Sequence, residues 1–162
     1  MEQTTSLAKQ LKNDSSAYPH LTALKLTEAD SFSWNHATHT ITYSLGDAFA
    51  GAYLLHEFAH AVLDHKDFDY DIQLLELERA AWDRAVTLAP LYGVSIDTAT
   101  VEESLDTYRD WLHTRSLCPS CDSTGLQSDV HDYQCAACGQ VWSVNPARTC
   151  GLKRYKKTTP RR

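Results

Sequence analysis

Leu54–His65 reads LLHEFAHAVLDH: two histidines four residues apart, a glutamate beside the first, and otherwise Leu, Phe, Ala and Val as far as Leu63. The apolar run extends back to Ala48, and every residue from there to Leu63 except His56, Glu57 and His60 is aliphatic, Phe, Gly or Tyr. Such a stretch predicts a helix buried on nearly all sides, with Asp47 available to cap its start. Ionisable groups in those surroundings are costly unless they are paired or bind a metal. At 3.6 residues per turn, His56 and His60 leave the same face one turn apart, near enough to ligate a single ion.

Residues 56–60, HEFAH, match the HExxH pattern, in which two imidazoles bind Zn²⁺ and the glutamate beside the metal accepts a proton from water. The competing reading is a chance match in a core helix, disfavoured by the burial of three polar groups together. The sequence resembles the zincin metallopeptidases, which implies Glu57 as the catalytic base and hydrolysis of peptide bonds. A deformylase-type site would require an upstream cysteine, and no cysteine precedes Cys118.

A catalytic zinc takes three protein ligands and keeps one position open. His65 lies five residues beyond His60, which on a continuing helix would rotate it off the metal face; its expected place is the helix C-terminus, where an imidazolium suits the dipole. The following segment, DYDIQLLELERAAWDRAVTLAP, offers a better donor. Ile72, Leu75, Trp82, Ala85 and Ala89 recur at helical spacing, and Glu78 falls on that stripe. Glu76 sits on the polar side and is the fallback. Glu78, 18 residues after His60, is the expected third ligand.

LLHEFAHAVLDH followed by a helix with ELERAAW is similar to the ImmA/IrrE-type metallopeptidases, small gluzincins in which a glutamate on the helix after HExxH completes the site. The resemblance spans about residues 32–89. It implies a protein or peptide substrate, and known members include proteases that cleave regulatory DNA-binding proteins. SprT-like proteases also join HExxH to a C-terminal zinc ribbon, but their third ligand is a downstream histidine, and none lies between His65 and His113.

The second motif is CPSCDSTGLQSDVHDYQCAACG. Cys118 and Cys121 form one CxxC and Cys135 and Cys138 another, with 13 residues between the pairs. That spacing brings four thiolates around one tetrahedral Zn²⁺. It resembles a zinc ribbon, with Gly139 permitting the turn after the second knuckle. A closed site of this kind folds a segment too small for its own core. A thioredoxin-like redox site explains two such pairs poorly. Cys150 is left over, read as a free thiol or a chance residue near the tail.

The chain has 162 residues, 43% of them hydrophobic, enough for one ordinary core with a small appendage. Its opening lacks the apolar core of a signal peptide, and no run is long enough to span a membrane. A cytoplasmic location is expected, and a reducing compartment favours metal binding over disulfides for paired cysteines. The formal net charge is −6, yet residues 148–162 hold 7 of the 15 basic residues and no acid, leaving 8 against 21 acids before them, a balance of −13. That basic tail reads either as a solvated end or as a weak contact for nucleic acid or another polyanion.

The remaining elements are a short first helix with Leu7 and Leu11 on one face, a hairpin in SFSWNHATHTITYS, and a third long helix, TVEESLDTYRDWLHTR, with Thr100 and Glu103 as a capping box. Residues 18–27 carry no clear pattern. The expected class is α+β: a zincin-like domain of helices packed on a short antiparallel sheet at 1–115, a four-cysteine zinc ribbon at 116–147 and the tail at 148–162. Two zinc ions are implied, one catalytic and one structural. The alternative function is a nucleic-acid- or protein-binding ribbon joined to an inactive zincin domain.

Overall fold

The computed structural model describes residues 2–147 and 151–158. Arg148, Cys150, Arg161 and Arg162 of the basic tail lie outside the described residues. The class is α+β, with four helices and two small sheets among the described residues. The chain divides into two compact units, Met1–Asp67 with Leu77–Val101, and Phe68–Glu76 with Glu102–Arg162.

In the first unit, α1 (Glu2–Asp14) buries Thr4, Leu7, Ala8 and Leu11, spaced three and four apart so that they share one face. Two single 3-10 turns follow, Ser15–Ala17 and Pro19–Leu21. They lead into β1 (Lys25–Glu28), a strand in the segment that lacked a sequence pattern. Its burial explains the silence: only Leu26 is shielded, so no apolar alternation marks it. The expected hairpin is present as β2 (Ser33–Asn35) and β3 (Thr40–Tyr43), with Trp34 opposite Ile41. The sheet order is β1-β3-β2, and β1 runs parallel to β3. The sheet is therefore mixed rather than purely antiparallel, because β1 enters from the 3-10 turns at the same end as β3.

The HExxH helix is α2 (Ala50–Val62), packed against α1, β2 and β3. Leu54, Leu55, Phe58, Ala59 and Ala61 are fully enclosed, which stabilises the fold by roughly 2 kcal/mol for each larger side chain. Asp47 supports the turn before the helix, its Oδ1 accepting the Phe49 amide at 2.6 Å, but regular helix begins only at Ala50.

Helix α3 (Asp71–Leu88) buries Asp71, Leu74, Glu78, Ala81, Trp82, Ala85 and Leu88. Its inward stripe is thus Leu74 rather than Leu75, and Ile72 is 49% exposed. Helix α4 (Thr98–Ser116) starts on Asp97, whose Oδ1 accepts the Thr100 amide at 2.7 Å; Thr100 is not the cap.

The second unit holds an antiparallel sheet in the order β4-β5-β6-β7: Gly125–Asp129, Asp132–Cys135, Val141–Val144 and Arg154–Lys156. Its small core is Cys118, Tyr133, Cys135, Trp142 and Val144, with Leu152 against it. Tyr133 and Trp142 stack at 5.6 Å. Strand β7 comes from the basic segment: the Arg154 guanidinium donates to the Leu117 carbonyl at 2.6 Å and Lys157 pairs with Asp132 at 2.5 Å. A buried ion pair adds to this core. Arg115, 2% exposed, donates through Nε and Nη2 to Asp71 at 2.5 and 3.2 Å, and the Tyr133 hydroxyl donates to the same carboxylate.

Two candidate metal centres

The first centre lies in the first unit. His56 and His60 project from successive turns of α2, and Glu78 comes from α3. His56 Nε2 is 3.1 Å from His60 Nε2 and 3.1 Å from Glu78 Oε2, and His60 Nε2 is 3.5 Å from that oxygen. Nitrogen and oxygen ligands at about 2.0–2.1 Å around a tetrahedral ion stand roughly 3.3 Å apart. The triangle therefore has the edge lengths of three ligands on one ion, and all three residues are buried. Glu76 is exposed.

Electrostatics suits a cation at this point. Burial holds the His56 imidazole below its ordinary pKa, so it offers a lone pair at neutral pH. Burial alone would raise Glu78, but hydrogen bonds with His56 and His60 outweigh it and hold the carboxyl well below the usual range. A carboxylate beside an imidazole lone pair is a donor set for a divalent metal. Burial pushes Glu57 up to about 7, with the Trp34 backbone amide and His60 opposing the shift. Glu57 thus sits beside the donors without joining them, poised to exchange a proton near neutral pH.

The flanking rings fix this geometry. The Trp82 indole stacks on His56 at 4.2 Å. His65 lies just past the C-terminus of α2, as expected, but not as an imidazolium: the helix ends at Val62, Asp64 adopts a left-handed φ of 54°, and the chain folds back to set His65 Nδ1 2.8 Å from His60 Nδ1. Burial lowers its pKa to about 4. Periodicity missed this residue because it assumes that the helix continues. The one signal was Asp64 itself, since aspartate tolerates the left-handed region.

The second centre lies in the second unit. Cys118 Sγ is 3.6 Å from Cys138 Sγ, and Cys121 Sγ is 3.6 Å from Cys135 and 3.5 Å from Cys138. These separations are far longer than a disulfide bond and close to the roughly 3.8 Å edge of a tetrahedron of thiolates on zinc. The knuckles match. Asp122 and Gly139, at φ 57° and 74°, each follow a CxxC and return an amide to the first cysteine's carbonyl at 3.0 Å. Hydrogen bonds from the Ser123 hydroxyl and amide hold Cys121 down to about 6. With that thiolate 3.5 Å away, Cys138 rises to about 12 even against the Gln140 amide. Four sulfurs this close can all ionise only around a cation, so the cluster fits a metal and is consistent with a zinc ribbon.

No protein-family profile, curated protein or solved structure matches the chain. Both centres rest on their own geometry. The structure brings together the first site's two histidines and glutamate and, separately, the four cysteines. Among α4 residues, Arg109 is engaged by Glu102 and Asp106 at 2.8 and 2.6 Å. No described helix is long and apolar enough to cross a membrane.

Proposed function

We propose that this protein is a zinc-dependent endopeptidase, with one zinc held by His56, His60 and Glu78 for catalysis and a second held by Cys118, Cys121, Cys135 and Cys138 for structure. The observation that carries the reading is the triangle of His56 Nε2, His60 Nε2 and Glu78 Oε2 at 3.1–3.5 Å, with the carboxyl of Glu57 raised beside it. Imidazole and carboxylate suit zinc at the first site, and thiolates suit it at the second.

Zinc in such a site would acidify water and polarise a carbonyl. Glu57 supplies the proton transfers: its carboxylate takes a proton from the attacking water and passes it to the departing amide nitrogen. Without the metal, burial holds this carboxyl raised to about 7, and a cation beside it would favour the carboxylate that takes the proton. Strand β2 is a sheet edge, so an extended peptide could add beside Trp34 and present its scissile bond to Glu57.

A glutamate as third donor favours the ImmA/IrrE-type pattern over the SprT-like one. The substrate in this reading is a protein, with a DNA-associated regulator as the class suggested by that resemblance. Four reduced thiols fit a cytoplasmic location. Direct contact with nucleic acid is the weaker part of the proposal, because Arg154 and Lys157 already have internal partners.

The test combines zinc analysis with substrate trapping. Wild type should carry about two zinc ions per chain, one for each donor set. His56→Ala should keep about one, and Glu57→Gln should keep both while losing cleavage and retaining bound substrate. Loss of no zinc in His56→Ala would reject the site.

A further inference from the structure

We infer that His65 is a positioning residue for metal binding: its Nδ1 accepts the Nδ1–H of His60 and so fixes the tautomer and rotation in which His60 Nε2 faces the metal. This rests on the proposed metal site and adds the group that prepares one of its ligands.

The chemistry sets the proton positions. His60 Nε2 points at His56 Nε2 and Glu78 Oε2, 3.1 and 3.5 Å away, so a ligating His60 needs its lone pair there and its proton on Nδ1. The Nδ1 proton lies against His65 Nδ1 at 2.8 Å. One of two facing ring nitrogens must donate and the other accept; hence His65 carries its proton on Nε2. An outer partner of this kind holds a metal-binding imidazole in one orientation and raises its basicity. His56 is arranged differently: its Nδ1 is buried with no hydrogen-bond partner among the described residues, and its ring lies on Trp82.

The backbone of His65 is fixed from several sides. Its amide donates to the His60 carbonyl at 3.0 Å, and its carbonyl accepts the Trp34 indole N–H at 2.9 Å. The preceding Asp64 holds the turn, donating its amide to the Ala61 carbonyl at 3.1 Å and accepting His36 Nε2–H at 3.1 Å. The Trp34 indole thereby ties strand β2 to this turn. The left-handed Asp64 and these two backbone hydrogen bonds form a helix C-terminal cap that sets His65 back over His60.

The experiment measures zinc affinity of the full chain by competition with a chromophoric chelator, together with ¹⁵N shifts of the histidine rings in the protein carrying only its ribbon zinc. His65→Leu removes the acceptor and should weaken the weaker of the two zinc sites by about tenfold to a hundredfold. His65→Asn places Oδ1 where Nδ1 was and should recover most of that loss. The ring shifts should report His60 protonated on Nδ1 and His65 on Nε2. Unchanged affinity in a folded His65→Leu protein, equal losses in Leu and Asn variants, or a His60 protonated on Nε2 would each overturn the assignment. His56→Ala is the separate control. If it leaves the weaker site intact, the metal reading itself fails, whatever His65 does.

Discussion

The Trp82 indole lies 4.2 Å from the His56 imidazole with the ring planes 28° apart, and His56 Nδ1 has no hydrogen-bond partner among the described residues. Stacking on a fully buried tryptophan therefore sets the pitch of the first imidazole. Trp82→Ala should destabilise the protein by about 3–5 kcal/mol, the usual range for an aromatic deleted from a core. Trp82→Phe, which retains a ring face, should lose less than half of that and bind zinc more tightly than the alanine variant. Urea denaturation and chelator competition on the two variants check this. Equal zinc affinity in both would show that stacking does not orient His56.

Glu57 gives a pH signature. In the absence of zinc at its site, the folded chain holds the Glu57 proton up to about 7, against 4.5 for the free carboxyl. Between those values the unfolded chain has released a proton that the folded chain keeps, so stability falls as pH rises. Below about 4.5 the difference vanishes, and above about 7 the loss is complete, bounded by about 3 kcal/mol. Glu57→Gln has no such proton. In protein carrying about one zinc, taken first by the thiolates, the variant should gain on wild type as pH is raised across this window. Parallel curves would remove the raised carboxyl from the mechanism.

In the ribbon, a Cβ added at Gly125 would stand 2.2 Å from the Trp142 ring and 2.9 Å from the Gln134 carbonyl. Trp142 is fully buried and its indole N–H donates to the Arg115 carbonyl at 3.0 Å, so it has little freedom to retreat. Gly125→Ala should cost about 1–3 kcal/mol or more. Gly139→Ala meets no atom but needs φ 74° and should cost about 1 kcal/mol. Zinc retention during a denaturant titration would order them; a milder effect at Gly125 would contradict the close packing.

The Asp71–Arg115 pair is enclosed, with side chains 4% and 2% exposed. Asp71→Ala strands a buried guanidinium and should destabilise by about 3–5 kcal/mol, whereas replacing both residues by apolar side chains of similar volume should recover much of the loss. Differential scanning calorimetry on the single and double variants distinguishes these outcomes, and a neutral Asp71→Ala would mean that solvent reaches Arg115.

Sequence alone determined what depends on spacing along the chain. HEFAH fixes two imidazoles on one helical face because four residues make about one turn, and the paired CxxC motifs make knuckles because each local turn needs only its own few residues. Glu78 was legible as a carboxylate on an otherwise apolar stripe, although the stripe runs through Leu74 rather than Leu75. Only the tertiary structure decided where chain reversal and pairing bring distant groups. The parallel partnering of β1 with β3, the return of His65 onto His60, the Trp34 indole on the His65 carbonyl and the strand drawn from the basic segment are of this kind. Each depends on contacts or backbone torsions that leave no periodic trace, because one hydrogen bond or one left-handed aspartate constrains a position without imposing a pattern on its neighbours.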